Sequence, residues 1–383
     1  MSYFPKIPYI EDLLLQLIPF LTHDLIWQLI RILIFPGLLF AVIMVWPNVW
    51  IERKMWGRIH DRRGPTHLGF GGFMQLLADF IKLLSKETII PKKAHKLMFR
   101  VIPILSLFFA LTAFSLLPFD ENWALYYSID TGVETCTGTG LNGTGCHYLS
   151  YDLILLYALL TGIPVAGLLA GWAAGSKYPI IGGWRYANQQ FAVEIPLLLS
   201  TVGPALLTGS LSLMTISLTQ AKTIWFVFLL PLTFITFVTA GIASVGRWPF
   251  DIEDADSEIV VGWRTEYGGS LFMIVFMAQY VEIFLFTGTA VALWLGGGQL
   301  IPFVPNAAIP IINLIPPAFI FIGKMLLVYL LFIIITNSLH RIRMDQILKL
   351  MWRILIPLAL INILGAMLGL ALFPGFFESL GLI

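Results

Sequence analysis

Charged residues are scarce in this 383-residue chain: Asp, Glu, Lys and Arg make up 12% of it, about half their share in an ordinary soluble domain. Two cysteines are too few for an iron–sulfur centre. None of the six histidines lies deep in an apolar run. GFGG at 69–72 lacks the Lys-Ser/Thr that completes a phosphate loop. We therefore expect the chain to bind no flavin, haem, iron–sulfur cluster or metal.

Hydrophobic residues make up 58% of the chain. Apolar runs of about 18–25 residues recur, each long enough to cross a bilayer as a helix. We predict an all-α integral membrane protein with about eight transmembrane helices in a single membrane domain, 1–383. The predicted spans are roughly 26–50, 99–118, 151–173, 190–210, 223–246, 269–295, 312–336 and 352–373.

One further apolar segment, from Phe70 to Glu87, is predicted to lie along the membrane surface. Its apolar residues recur at helical spacing, and Asp79, Lys82 and Lys86 interrupt them. This pattern is typical of an amphipathic interfacial helix rather than of a span.

Basic residues concentrate on one side of the predicted spans, where the loops and helix ends hold nineteen of the 23 Lys and Arg residues. Because these residues favour cytoplasmic loops, we assign 53–98, with the amphipathic helix, and the acidic loop 247–268 to the inner side. The loop 119–150 and both termini are then outside. The sided charge gives no support for nucleic-acid binding.

The outer loop 119–150 contains both cysteines, Cys136 and Cys146. Its compartment permits disulfides, so we predict that the two are bonded. The loop also contains the sequon Asn142-Gly143-Thr144, which either accepts a glycan or is a chance match in a Gly/Thr-rich segment.

The inner acidic loop carries six carboxylates within sixteen residues, bracketed by Arg247 and Arg264: Asp251, Glu253, Asp254, Asp256, Glu258 and Glu266. Mutual repulsion is expected to raise the pKa of several of them and to couple their titration. The alternative is a solvated loop that docks a basic partner. Glu194 and Glu282 lie within predicted spans, where an ionisable residue indicates function, although Glu194 could also be an interfacial, snorkelling residue.

Five inner motifs recur in a known order: ERK…G…R.GP, D..KL..KE, GW…SKY…G..R…E, R.PFD…SE.V.G…EY and R.R.DQ…L.W…P. In these the chain resembles the H subunit of the complex I family, called subunit 1 in the mitochondrial enzyme. The resemblance covers nearly all of residues 26–373. It implies a subunit of a proton-translocating NADH (or related donor):quinone oxidoreductase, located in an energy-transducing membrane, with a prokaryotic cell membrane favoured.

In that family the subunit lies in the lipid bilayer beneath peripheral iron–sulfur subunits and beside other membrane-arm subunits, including antiporter-like ones. It supplies membrane-side walls of the chamber for the substrate quinone. The resemblance and the amphipathic segment together give the quinone-chamber candidates Glu52, Arg53, Arg62, Phe70, Phe73, Leu77, Phe80 and Arg247. The proton-coupling candidates are the six loop carboxylates with Glu194 and Glu282.

The chain departs from the family pattern at several positions. Ser244 and Gln279 are at positions where the family often has Glu. Asp254 and Asp256 are at positions where the family usually has Glu. Glu282 could replace Gln279, since residues three apart share a helix face. Other functions left open are a membrane subunit of a deazaflavin- or ferredoxin-dependent dehydrogenase or of a membrane hydrogenase, a stand-alone ion transporter, and a passive membrane anchor.

Overall fold

Helices dominate the computed structural model, which describes residues 38–119, 126–128, 146–148, 151–300 and 317–372. The helices of these ranges are α1 (Leu38–Ile59), α2 (Gln75–Ser85), α3 (Lys96–Phe114), α4 (Asp152–Leu160), α5 (Gly162–Ala173), α6 (Lys177–Thr208), α7 (Leu213–Lys222), α8 (Phe226–Leu229), α9 (Pro231–Ser244), α10 (Asp256–Ile259), α11 (Gly269–Trp294), α12 (Pro317–Ser338), α13 (Met344–Lys349) and α14 (Ile356–Leu372).

Six helical segments of the described ranges are long and apolar enough to cross a membrane: 96–114, 152–173, 177–208, 269–294, 317–338 and 344–369. The chain is therefore a multi-pass membrane protein. Each of the six overlaps a predicted span. The other two predicted spans overlap α1, part of whose predicted range lies outside the described residues, and α9, which is apolar but has only 14 residues. A count of eight and the location of the termini stay predictions.

Helix α11 lies at the centre of the bundle, packed against α3 and α12. Every residue from Tyr280 to Trp294 is buried, as expected of a helix that is apolar on all faces. Glu282 is the one acidic or basic residue in that stretch. The same helix begins at Gly269, beside the acidic loop, so it connects that loop with the interior of the helix bundle.

The predicted amphipathic helix is observed as α2, which begins five residues later than expected. The preceding glycines explain the late start, because Gly69, Gly71 and Gly72 all have positive φ angles. At Gly72 a Cβ atom would lie 2.2 Å from the Pro65 carbonyl oxygen, so only glycine fits. Lys86, which follows α2, has an extended backbone conformation.

Two tryptophans of α1 hold the segment before α2. The indole Nε1 of Trp46 donates to the Phe73 carbonyl oxygen at 2.8 Å, and that of Trp50 donates to the Gly71 carbonyl oxygen at 3.2 Å. The Trp46 and Phe73 rings also stack, with centroids 5.4 Å apart. The entrance to α2 is therefore fixed against α1.

Of the loop 119–150, the structure describes Phe119 and two short antiparallel strands, β1 (Tyr126–Ser128) and β2 (Cys146–Tyr148). Cys136 and the sequon at Asn142 lie outside the described residues. The disulfide stays a prediction, and mass spectrometry of non-reduced peptides would test it: two free thiols in native membranes would contradict it.

Candidate functional site

The inner acidic loop folds around the guanidinium group of Arg264. Its Nη2 donates to Glu253 Oε1 at 3.2 Å, its Nη1 pairs with Asp254 Oδ2 at 2.9 Å, and the same Nη1 donates to Gln279 Oε1 on α11 at 2.8 Å. Gly262 permits this return of the chain, because it has a φ of +54° and a Cβ there would lie 1.6 Å from the Glu253 carbonyl oxygen. We call Glu253, Asp254, Arg264, Gln279 and Glu282 the Arg264 cluster.

Glu253 is the most deeply buried acid of the cluster, with 1% of its surface exposed. Burial raises its pKa well above the usual value, the negative charge of Asp254 raises it further, and Arg264 opposes both effects. Glu282, one turn after Gln279 on α11, is also buried and interacts electrostatically with Arg264. One guanidinium group thus pairs with two carboxyl groups and interacts electrostatically with a third, and carboxyl groups that interact in this way titrate as a coupled set.

Of the remaining loop acids, Glu258 and Glu266 have side-chain partners of their own. Arg185 Nη1 lies 2.5 Å from Glu258 Oε2, and this hydrogen bond lowers the pKa of the exposed Glu258 carboxyl. Ser176 Oγ donates to Glu266 Oε1 at 2.9 Å. At Asp251 it is the backbone carbonyl oxygen that accepts, from Arg341. Asp256 lies in α10, and its side chain is outside the described structure.

Arg247 pairs with α1 and not with the loop that it precedes. Its Nη1 donates to Glu52 Oε1 at 3.1 Å, and its guanidinium lies 4.7 Å from the centroid of the Tyr280 ring. Tyr329 Oη donates to Glu52 Oε2 at 2.8 Å. Burial lowers the pKa of Arg247, but the Glu52 carboxylate together with Tyr280 and Tyr329 raises it by more, so the net shift is upward. Glu52 and Arg247 line a small cavity of about 40 Å³ that also includes Trp56 and Tyr329.

A larger, partly open cavity of about 430 Å³ lies between α1, α2 and the first turns of α11. Its surface is almost entirely apolar. Across it Arg53 of α1 pairs with Asp79 of α2, with Arg53 Nη1 2.7 Å from Asp79 Oδ2. Such a cavity fits a hydrophobic ligand. Among the described residues no three His, Cys, Asp or Glu side chains are grouped to hold a metal ion.

The quinone-chamber candidates are distributed over two cavities. Arg53, Leu77 and Phe80 line the large cavity, whereas Glu52 and Arg247 line the small one. Three candidates line neither: Phe73 stacks on Trp46, Phe70 is 97% exposed, and Arg62 is exposed at the surface.

Helix α11 contributes one wall of the large cavity, which was not predicted from the sequence. Its residues there are Phe272, Met273, Phe276 and Met277. Their spacing of three and four residues marks one helix face. Nothing in that spacing indicates that the face meets α2.

The two neutral departures from the family pattern both make hydrogen bonds. Gln279 accepts from Arg264, as described above, and Ser244 Oγ donates to Gln190 Oε1 at 3.1 Å. Glu194 lies one turn after Gln190 on α6 and is half-buried. Its carboxyl group makes no hydrogen bond or ion pair with Arg264 or with the acidic loop in the described structure.

The sequence model of the NADH dehydrogenase family matches residues 30–367. The chain belongs to this family. A similar protein from Dehalococcoides mccartyi strain CBDB1, named as the H subunit of an NADH-quinone oxidoreductase, is 34% identical over 85% of this chain and 82% of its own length. Proteins of the same name from Bacillus cytotoxicus and Anoxybacillus flavithermus are 36% and 35% identical, over 85% and 91% of this chain and 90% and 96% of their own lengths.

Proposed function

We propose that this member of the NADH dehydrogenase family is the H-type membrane subunit of a proton-translocating NADH-quinone oxidoreductase. In this proposal it forms the membrane-side wall of the quinone chamber and the start of the proton-coupling path. The observation that carries the proposal is the large apolar cavity between α1, α2 and α11, within a chain whose relatives are named for quinone reduction.

The position of the cavity fits a ligand that arrives from the lipid. Helix α2 is amphipathic, has no buried residue and carries exposed apolar side chains such as Ile81 and Leu84, as expected of a helix at the membrane surface. A gap between such a helix and two others lets a lipid-soluble quinone enter sideways. The Arg53–Asp79 pair and Lys82 place charged groups at the edge of a largely apolar path.

The Arg264 cluster supplies groups for proton coupling. Reduction of a quinone to a quinol consumes two electrons and two protons, so charge near the chamber changes during turnover. Glu253 in the loop and Glu282 in α11 share Arg264, so a proton bound to one affects the other. Their positions lead from the inner loop into the membrane interior.

In this proposal the flavin and the iron–sulfur clusters belong to peripheral subunits on the inner side. Other membrane-arm subunits, including antiporter-like ones, lie alongside in the bilayer and receive the protonation signal. We propose a prokaryotic cell membrane as the location, since the relatives named above are bacterial.

Filling the cavity tests the proposal. Leu77 lines the cavity and Ile81, one turn further along α2, does not. In the intact complex, Leu77→Trp should raise the KM for quinone and reduce labelling by a photoreactive quinone, while reduction of a water-soluble electron acceptor stays normal. The matched control Ile81→Trp should leave all three unchanged. Equal effects of both variants, or a photoreactive quinone that never labels α1, α2 or α11, would overturn the proposal.

A further inference from the structure

The outer end of α11 is capped by a side chain from another helix. The last carbonyl groups of a helix lack partners within it. Gln220 of α7 supplies partners for two of these carbonyl groups at the end of α11. Its Nε2 donates to the carbonyl oxygens of Ala292 and Leu293, both at 3.1 Å. Its Oε1 accepts the backbone N–H of Gly296 at 3.0 Å. All of these atoms are buried where water cannot reach them, so the hydrogen bonds from Gln220 satisfy backbone groups that would otherwise lack a partner.

Lys324 of α12 adds a positive charge at the same place. Its Nζ donates to the carbonyl oxygens of Leu295 and Gln299, and it lies 4.6 Å from the centroid of the Trp225 ring. A cation at the C-terminal end of a helix complements the helix dipole, and a cation over an indole ring is stabilised further. An ionisable residue inside a membrane helix is costly unless it has such a role.

Helix α11 connects this capped end with the Arg264 cluster. Leu295 lies thirteen residues after Glu282, which corresponds to about 20 Å along a helix axis. We propose that Lys324 and Gln220 hold α11 at its outer end and thereby set the axial position of Gln279 and Glu282 beside Arg264. They are positioning residues on the membrane face opposite to the cluster. This inference rests on the proposed coupling role of Glu282.

The experiment compares two lysines of the same membrane side in the intact complex. Lys324→Met removes the positioning cation. Lys222→Met is the matched control, because Lys222 is exposed at the end of α7 and makes no ion pair with the described residues. For Lys324→Met we expect fewer protons pumped per electron, and an Arg264–Gln279 distance in the cryo-EM structure longer than the present 2.8 Å. Lys324→Arg should restore both, and Lys222→Met should change neither.

An unchanged Arg264–Gln279 distance and an unchanged proton ratio in Lys324→Met would overturn the inference. If Lys324→Met prevents assembly, Lys324→Gln, which keeps one donor, is judged by the same two measurements. Failure of the proposed function is distinguished by Glu282→Gln. A normal proton ratio in Glu282→Gln would contradict the proposed coupling role of Glu282. The measured position of α11 in Lys324→Met would still decide whether Lys324 anchors the helix.

Discussion

Replacing Glu253 by Gln removes the most deeply buried carboxylate of the acidic loop with little change in shape. Arg264 keeps its contacts with Asp254 at 2.9 Å and with Gln279 at 2.8 Å. The structural cost is therefore limited to one hydrogen bond between charged groups, about 1.5–3 kcal/mol, so we expect the complex to assemble. A positioned proton donor or acceptor contributes about 10²–10⁴-fold to a rate. If Glu253 carries protons in the limiting step, turnover should fall by at least the lower of these factors.

Glu258→Gln is the matched control, since it makes the same chemical change five residues along the same loop. Glu258 has a side chain that is 58% exposed and pairs with Arg185 at the surface. Surface pairs contribute roughly 0–1 kcal/mol, so turnover and assembly should stay near normal. The assay is quinone-dependent turnover and proton pumping per assembled complex, with the amount of complex measured separately.

Two results would refute the coupling role of the loop. One is normal turnover and normal pumping in Glu253→Gln. The other is weakened assembly with normal turnover per complex in Glu253→Gln and Glu258→Gln alike, which would favour a loop that docks a basic partner.

Two further predictions concern the scaffold of the site. Gly262→Ala should prevent assembly, because the added Cβ would lie 1.6 Å from a backbone oxygen. Gly71→Ala, also at positive φ but with no atom within 4 Å, should cost only about 1–2 kcal/mol. Comparing the amounts of assembled complex tests both, and equal amounts would contradict the argument. Tyr329→Phe removes the 2.8 Å hydrogen bond to Glu52 and should lower stability by about 1.5–3 kcal/mol, which thermal unfolding of the complex would measure, with an unchanged midpoint as the contrary result.

The membrane helices could be predicted from the sequence because the length of an apolar run determines whether it can cross a bilayer. The start of α2 could not be read from apolar spacing, because Phe70 and Phe73 continue the helical pattern while the glycines between them adopt positive φ. Those two phenylalanines precede the helix and do not line its cavity. Leu77 and Phe80, which lie within the helix, do.

The ion-pair partners of Arg247 and Arg264 could not all be predicted from the sequence. Arg264, close to the loop acids in the sequence, pairs with Glu253 and Asp254 within the loop. Arg247 instead pairs with Glu52, which lies 195 residues away in the chain. Such a contact depends on how α1 packs against the loop, which local sequence does not encode. For the same reason, the wall that α11 contributes to the large cavity could not be predicted from the sequence.

The neutral residues Gln279 and Ser244 bear on how the Arg264 cluster holds its charge. With Glu at 279, Arg264 would face a fourth carboxyl group in a buried space; with Gln it gains a neutral acceptor at 2.8 Å. The cluster then contains Glu253, Asp254 and Glu282 around one guanidinium group. Burying charge that is not balanced is costly, and burial together with the negative charge of Asp254 raises the pKa of Glu253. In the proposed coupling path, Glu253 in the loop and Glu282, one turn after Gln279 on α11, therefore take the place of a carboxylate at position 279.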